Sequence, residues 1–500
     1  MRRAARMSAA AAIFAALLCA CGQSGSDQGR TEAAAEEGVP TSTSNALSEL
    51  EQNLLPGVVY SDDENLRYTL ADRMAHYNTP HVTMTLIRDG NIVAEKAYGD
   101  GAAPDMLFQA ASLSKAVAAA GVATYAKDAG IDLDADITPL FKGFDIAAVN
   151  PGGQLISLRK LLSNTSGATV SGFPGYATDV YKPTTLEVLQ GADGVNTEPV
   201  TFEPNPDGAF AYSGGGYTIA QAFIEEHSSR DFAELMDALI LKPFQMTRST
   251  FEQPLSERWR KENVARAHMG DGSPVNGGWH VYPELAAAGL WTTASDYARF
   301  AIAMTRAANG DADAGLDPSI AREAFKPTAQ NTNLPFNYGL GLGVHQQDGR
   351  LSIRHGGRNH GYNCYFFVFT DTVDGLVVMT NGADGTALYR EIMHGARALY
   401  GWPKDPRPEI TPIALSDETL KSFAGRYVLE VNGAPTEASI TLEIRDGGLF
   451  GYWQRELSIN LTPISEEVFV DVTGGTQWRF DAEAGTATSG DGATFRKVAS

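Results

Sequence analysis

The chain has 500 residues, 43% of them hydrophobic and 20% charged, so it is long enough for two or more domains with a large core. Its net charge of −21 at pH 7 repels nucleic acid and anionic lipid, and we therefore expect no polyanionic partner. The three cysteines, two of them within the first 21 residues, provide no disulfide framework.

The first twenty residues are typical of a bacterial export signal. Three arginines precede an apolar run over 9–20 that is too short to span a bilayer as a mature helix. The sequence ending at Cys21 resembles the lipobox of lipoproteins, and Gly22 resembles their default outer-membrane sorting signal. We expect residues 1–20 to be removed and the protein to be exported and anchored by lipid on Cys21, at the periplasmic face of the outer membrane. Because Cys19 is unusual at its place, ordinary signal cleavage is the alternative.

The next segments change from a tether to regular structure. Residues 21–50 are rich in Ser, Gly, Thr, Ala and Glu and predict a flexible tether, with helical periodicity beginning near its end. A helix is predicted over 63–77, ending before a proline. Strands are predicted over 81–88 and 92–98, because the Asp-Gly pair between them is typical of a hairpin.

The middle of the chain, residues 112–306, shows mostly helical periodicity and Gly-, Pro- or Asn-rich loops. Extended patterns then return at 351–355, 362–370 and 375–380, followed by a helical pattern at 386–400. The sequence therefore predicts an α/β domain over 51–402. It would have one antiparallel sheet built from both ends, flanked by helices, with an inserted helical lobe.

A different pattern follows. Four prolines mark a linker over 403–420, and residues 421–500 contain short extended runs separated by Gly and Asp. These runs are at 427–431, 440–444, 449–453, 457–464, 468–472, 477–480 and 494–498. We predict a C-terminal all-β domain, a small antiparallel barrel of about eight strands.

Ser112 and Lys115 open an apolar helical run. Residues three apart lie on the same face of a helix, and a hydroxyl at a helix start lies near unpaired backbone N–H groups. A nucleophile, a nitrogen that accepts its proton and an oxyanion donor would thus be close together. This arrangement suits acyl transfer through a covalent serine ester.

Two further stretches could complete such a site. Tyr212 precedes a Gly-rich helix start, and a phenol beside Lys115 could take the Ser112 proton and return it to the leaving group. His355 ends a predicted strand, and the glycines that follow it, including Gly357, let a substrate approach the backbone closely.

These three stretches resemble, in order and spacing, the S-x-x-K, Y-x-N and K-T-G or H-x-G motifs of the serine β-lactamase family, in particular its class C, D-alanyl-D-alanine carboxypeptidase and esterase branch. The resemblance covers about residues 50–400. Other stretches also resemble the family; they lie at 108–112, 161–167, 289–296 and 338–341.

The resemblance implies a role for each matching residue. Ser112 would be the nucleophile and Tyr212 the general base. Lys115 would either be charged and lower the pKa of the tyrosine or be neutral and accept the proton itself. The backbone N–H groups of Ser112 and Arg358 would form the oxyanion hole, and His355 would bind a substrate carboxylate or steer protons. No cofactor and no metal ion are expected.

Two departures from the family pattern bear on the substrate. Gly214 stands where β-lactamases usually carry an asparagine that holds the substrate amide, and His355 replaces the commoner lysine, which makes a carboxylate contact weaker and pH-dependent. Both favour a serine hydrolase for a small ester or for a peptide or amide that contains a D-amino acid. The alternatives are a class C-like β-lactamase and a penicillin- or peptide-binding lipoprotein without turnover.

Two other kinds of catalytic site compete with this interpretation. Residues 211–215 are one substitution from G-x-S-x-G, which would make Ser213 the nucleophile, but that motif needs a parallel βαβ series. His345, His355 and His360 could contribute to a metal site, but no metalloenzyme motif accompanies them.

Overall fold

The fold is described from a computed structural model and covers residues 46–205, 207–328, 336–431, 433–453 and 457–498. The predicted signal segment 1–20, Cys21 and the tether up to residue 45 lie outside the described residues. The chain divides into two compact units: residues 78–386, and 46–77 together with 387–498. The domain limits predicted at 402 and 420 differ from this division and stay predictions.

The first unit contains an antiparallel sheet of seven described strands. In chain order they are β1 Val82–Arg88, β2 Asn91–Tyr98, β3 Asn337–Tyr338, β4 Gly343–Gln347, β5 Arg350–Asn359, β6 Tyr362–Phe369 and β7 Asp374–Thr380. Their spatial order is β2-β1-β7-β6-β5-β4-β3. Strands from both ends of the unit therefore meet at β1 and β7, which confirms the predicted sheet.

Local sequence explains the hairpin but not every strand. Asp89 and Gly90 have φ angles of 49° and 70°, the left-handed conformation that a two-residue hairpin turn needs. The prediction missed β3 and β4, which are short and lie on either side of a Gly-rich turn. The strand β4 forms because Gly343 and Val344 pair with Arg354 and Ile353 of β5, and β3 in turn pairs with β4.

The helices of the first unit surround the helix Ser114–Asp128, which is buried on most sides. Many of its buried residues are alanines, whose small side chains allow the helices Gly214–Ser228 and Leu285–Ala288 to approach closely. The remaining helices are Ile146–Val149, Leu158–Leu162, Thr185–Gln190, Phe232–Met236, Asp237–Leu241 (π-helical), Glu257–Arg260, Ala294–Ala308 and Pro318–Phe325. Short strand pairs join Phe108–Gln109 to Trp291–Thr292 and Tyr176–Ala177 to His280–Val281.

The second unit combines a small N-terminal part with the C-terminal barrel. It contains the helices Ala46–Leu50, Leu70–His76 and Asp417–Phe423, most of the helix Gly385–Leu399, and a parallel strand pair, Val59–Tyr60 with Glu409–Ile410. The helix predicted over 63–77 was too long. It begins at Leu70, because the Thr69 side chain accepts a hydrogen bond from the Asp72 N–H and caps the helix there.

The barrel is closed and consists of eight described antiparallel strands, which confirms the predicted architecture. They are Gly425–Val431, Ala434–Arg445, Gly448–Trp453, Leu457–Pro463, Val468–Asp471, Thr476–Asp481, Thr486–Ser489 and Thr494–Val498. The sequence analysis did not predict the seventh strand, because its four small residues lack the aromatic and β-branched pattern of the neighbouring strands. No described helix in either unit is both long and apolar enough to cross a membrane.

Candidate active site

Ser112 lies in a tight turn immediately before the central helix. The turn is the 3₁₀ segment Ala111–Leu113, and Ala111 has a φ of 49°, a left-handed conformation that residues other than glycine rarely adopt. Ser114 donates a hydrogen bond from Oγ to the Ala111 carbonyl at 2.5 Å and accepts one from the Leu290 N–H at 3.0 Å. The turn that carries Ser112 is thus held both by a local bond and by the Leu290 N–H, which is far away in the chain.

Lys115 is the nearest basic group to Ser112. Its Nζ lies 3.1 Å from Ser112 Oγ and donates a hydrogen bond to the Ala287 carbonyl at 2.9 Å. The side chain is almost fully buried, and this burial lowers the pKa of Lys115 to about 7. A substantial fraction of this amine is therefore neutral near pH 7 and able to accept a proton.

Tyr212 comes from a distant part of the chain and lies beside the same amine. Lys115 Nζ is 4.9 Å from the centre of the Tyr212 ring and 5.5 Å from the centre of the Tyr217 ring. The structure therefore brings together Ser112, Lys115 and Tyr212, although the serine and the tyrosine are one hundred positions apart.

Ser213, the alternative nucleophile, caps a helix instead. Its Oγ accepts a hydrogen bond from the Gly216 N–H at 2.8 Å and donates one to the Thr169 carbonyl at 3.0 Å. The side chain is buried, and the residues before it are not in a strand. This is the geometry of an N-cap rather than of a nucleophile between a strand and a helix.

Strand β5 passes close to the Ser112 turn at Gly357. A β-carbon on Gly357 would stand 2.4 Å from the Ala110 carbonyl oxygen and 2.7 Å from Cys364 Sγ, which is closer than real β-carbons approach such atoms. Only glycine lets the strand lie against the turn here. Arg358, the predicted source of the second oxyanion N–H, is the next residue and pairs with Asn363 of β6.

His355 lies on the same strand and is buried. Its Nε2 is 2.9 Å from Tyr338 Oη, its Nδ1 is 2.5 Å from the Gly356 carbonyl oxygen, and its ring centre is 6.2 Å from that of Tyr212. Burial, and then the charge of Lys115, lower the pKa of His355 to about 3. At neutral pH His355 is uncharged, so the structure does not supply the charge that the expected carboxylate contact needs.

Sequence reasoning missed several residues that shape this site. The Ala287 carbonyl is a backbone group, which no residue type in the sequence indicates. Tyr338 belongs to the Gly-rich stretch 338–341, which resembles the family but indicates no role for this tyrosine. That stretch contains Gly341, where a β-carbon would stand 2.5 Å from the Lys115 carbonyl oxygen. In the sequence, only the glycines of this stretch indicate that it contacts the helix Ser114–Asp128.

Glu284 is a further buried ionisable group near these residues. It directly precedes the helix Leu285–Ala288, which supplies the Ala287 carbonyl to Lys115. The Glu284 carboxyl is fully buried, and no described side chain forms a hydrogen bond with it. Burial raises the pKa of Glu284 to about 8, and its own backbone N–H lowers it only in part.

The described residues contain no group of three or more His, Cys, Asp or Glu side chains arranged to hold a metal ion. His360, one of the three histidines considered for such a site, stacks on His280, with ring centres 4.1 Å apart. His355 is instead bonded to Tyr338.

The sequence is similar to a known protein family and to a curated protein. The family model described as Beta-lactamase matches residues 66–398. Penicillin-binding protein 4* of Bacillus subtilis (strain 168) is 24% identical over 387 residues, which cover 73% of this chain and 80% of that protein.

Solved structures show the same fold. The octameric penicillin-binding protein homologue from Pyrococcus abyssi superposes with a TM-score of 0.57 at 20% identity, covering 85% of this chain and 98% of that chain. The D-amino acid amidase from Ochrobactrum anthropi SV3, in complex with L-phenylalanine amide, superposes with a TM-score of 0.51 at 19% identity and covers 66% and 96%.

Proposed function

The chain belongs to the β-lactamase family, and we propose that it is a serine hydrolase whose Ser112 attacks an acyl group and forms a covalent ester. The observation that carries this proposal is the distance of 3.1 Å between Ser112 Oγ and the buried Nζ of Lys115. A serine hydroxyl is a weak nucleophile until a neighbouring base takes its proton. A lysine whose pKa is lowered to about 7 can be that base at neutral pH.

The proposed reaction has two steps. In the first, Ser112 Oγ bonds to the acyl carbon, its proton passes to the Lys115 and Tyr212 pair, and the leaving group departs with that proton. In the second, water gives a proton to the same pair while its oxygen bonds to the acyl carbon. The bond between the acyl carbon and Ser112 Oγ then breaks, the pair returns the proton to Oγ, and the acid is released. The family resemblance implies Tyr212 as the general base and leaves open whether a neutral Lys115 accepts the proton itself. The direct contact with Ser112 favours Lys115 as first acceptor, and Tyr212 then exchanges the proton with the leaving group.

The oxyanion that forms in each step needs two backbone donors. We assign these to the N–H groups of Ser112 and Arg358, as the resemblance implied. The close contact between Gly357 and Ala110 supports this assignment, because it brings the strand that carries Arg358 against the turn that carries Ser112.

We propose a small ester, or a peptide or amide containing a D-amino acid, as the substrate. Gly214 in place of an amide-holding side chain and the uncharged His355 both support a substrate other than a β-lactam. The similarity in fold to a protein named D-amino acid amidase is consistent with this class. The similarity to a protein named penicillin-binding protein 4* favours a second candidate function, that of a penicillin- or peptide-binding lipoprotein without turnover.

Labelling with a fluorophosphonate probe tests the nucleophile. The wild type and Ser213→Ala should be labelled, with Ser213→Ala as the matched control on the neighbouring candidate, and Ser112→Ala should not. The proposal would be contradicted if Ser112→Ala were labelled and Ser213→Ala were not.

A substrate panel then separates the candidates. We expect turnover of p-nitrophenyl esters or D-alanyl amides and little turnover of nitrocefin. Rapid hydrolysis of nitrocefin would identify a β-lactamase. A stoichiometric penicillin adduct on Ser112, with no turnover of any substrate, would identify a binding protein.

The cell location is a separate proposal and rests on sequence alone. We propose that the protein is exported and that a lipid is attached at Cys21. This lipid would be its only membrane anchor. We also propose that it has no nucleic-acid partner. In cells the wild type should incorporate radiolabelled palmitate and fractionate with membranes, and Cys21→Ser should do neither. Equal incorporation by both proteins would reject lipid attachment at this residue.

A further inference from the structure

His355 uses both ring nitrogens within the protein. Nδ1 lies 2.5 Å from the Gly356 carbonyl oxygen, and Nε2 lies 2.9 Å from Tyr338 Oη. A carbonyl oxygen only accepts hydrogen bonds, so Nδ1 carries the hydrogen of the neutral ring. Nε2 is then an acceptor, and the Tyr338 hydroxyl is its donor. The two contacts together determine the tautomer of His355.

The surroundings of the ring disfavour a second proton. Among the charged and titratable groups, Lys115, Tyr212 and Tyr338 face His355: the tyrosine ring centres lie 6.2 Å and 5.9 Å away, and the lysine acts through its charge. Lys115 is positive when protonated, so a proton on His355 would place two positive charges together in a buried site. Protonation would also require Tyr338 to stop donating to Nε2.

We propose that Tyr338 is a positioning residue that locks His355 as a neutral Nδ1–H imidazole, so that this strand position offers a substrate carboxylate neither a charge nor a free N–H. The substrate part of this proposal rests on the proposed function and makes it more specific. The preferred substrates are those whose leaving group has no free carboxylate, such as esters and amides of a D-amino acid, rather than peptides cleaved next to a C-terminal carboxylate.

The tautomer can be measured without any activity. The full chain, labelled with ¹⁵N-histidine, is examined by long-range ¹H–¹⁵N NMR, and the His355 signals are identified by their loss in His355→Gln. We expect one protonated nitrogen, Nδ1, and one unprotonated nitrogen, Nε2, with no change between pH 5 and pH 8. An Nε2–H tautomer, or a ring that titrates in this range, would overturn the lock.

Tyr338→Phe tests the donor, because it keeps the ring and removes the hydroxyl. The Nε2 signal should move toward that of an imidazole nitrogen without a hydrogen bond, and kcat/KM should fall about tenfold, the effect of one lost buried hydrogen bond. Tyr297→Phe is the control for the spectrum: it removes a buried hydroxyl that donates to the Leu113 carbonyl at 3.1 Å. An unchanged Nε2 signal in Tyr338→Phe would overturn the proposal. If that variant does not fold, the proposal is tested by the NMR measurement of the His355 tautomer in the wild type.

The substrate part is tested with two leaving groups on one acyl group. We expect D-alanyl-D-alanine amide to be cleaved at least tenfold more efficiently than D-alanyl-D-alanine, which has the same scissile bond and differs only in its free carboxylate, in line with the loss of one charge-assisted contact. Equal or reversed efficiencies would overturn the substrate preference. Failure to cleave either compound, together with an unlabelled Ser112, would instead reject the proposed function and leave the NMR result to decide the tautomer.

Discussion

Gly357 and the Ala110 carbonyl lie so close that any side chain at residue 357 would displace the turn that carries the nucleophile. A β-carbon there would stand 2.4 Å from the oxygen of that carbonyl. The strand that supplies the proposed oxyanion donor and the turn that supplies Ser112 are therefore in close backbone contact at this point. Small displacements at such a contact affect catalysis more than folding.

Gly357→Ala should lower the activity strongly and the stability modestly. We expect kcat/KM to fall about 10²-fold, the effect of losing one oxyanion donor, because the strand must move away from the turn. Esterase kinetics and thermal unfolding measure the two effects. Gly152→Ala is the control, since its β-carbon would meet no atom closer than 3.7 Å. Full activity in Gly357→Ala would show that the strand and the turn are not coupled in catalysis.

The acylation rate should depend on the protonation of Lys115. Because its pKa is lowered to about 7, the neutral amine becomes the major form as the pH rises, and the acylation rate should rise through this pH and then level off. Lys115→Arg, which stays charged at all accessible pH values, should acylate about 10²–10⁴-fold more slowly. Lys127→Arg, half-exposed on the same helix, is the control. A rate independent of pH between 5 and 9 would argue against Lys115 as the base.

Glu284 should make the protein less stable as the pH rises. Its pKa is about 8 in the folded chain against an ordinary 4.5, so unfolding releases a proton between these values. The unfolding free energy should therefore fall with increasing pH, by at most about 1.4 kcal/mol per pH unit from this group. In Glu284→Gln this contribution should disappear. Chemical denaturation at pH 5 to pH 8 measures the slope. The exposed Glu257→Gln should keep the wild-type slope, and an equal slope in Glu284→Gln would contradict the prediction.

In the second unit, the buried carboxylate of Glu391 is paired with the guanidinium of Arg73. Arg73 donates to both carboxylate oxygens at 2.7 and 2.8 Å, Tyr77 donates to one of them at 2.8 Å, and Glu391 is buried. Arg73→Met should reduce the stability by about 3 kcal/mol, because it leaves a buried carboxylate without its charge partner. Thermal unfolding measures this. The exposed Arg67→Met is the control and should change the stability by less than about 0.5 kcal/mol. Equal effects of the two variants would show that the pair contributes little.

Much of the fold was predictable because local patterns specify it. The hairpin at Asp89 and Gly90, the strands on both sides of the sheet and the barrel's short extended runs follow from turn chemistry and from side-chain periodicity. The prediction failed where tertiary pairing acts on weak local signals, at β3, at β4 and at Thr486–Ser489.

For the site, the sequence by itself determined that Ser112 and Lys115 lie about one helical turn apart at a helix start, and that a tyrosine and a histidine were available to join them. Only the tertiary structure decided their chemistry. The Ala287 carbonyl that holds Lys115 is 172 positions away, and the hydroxyl that meets His355 belongs to a separate strand. Periodicity and turn preferences act between neighbours in the chain. A pKa and a tautomer depend instead on burial and on partners that only folding brings together.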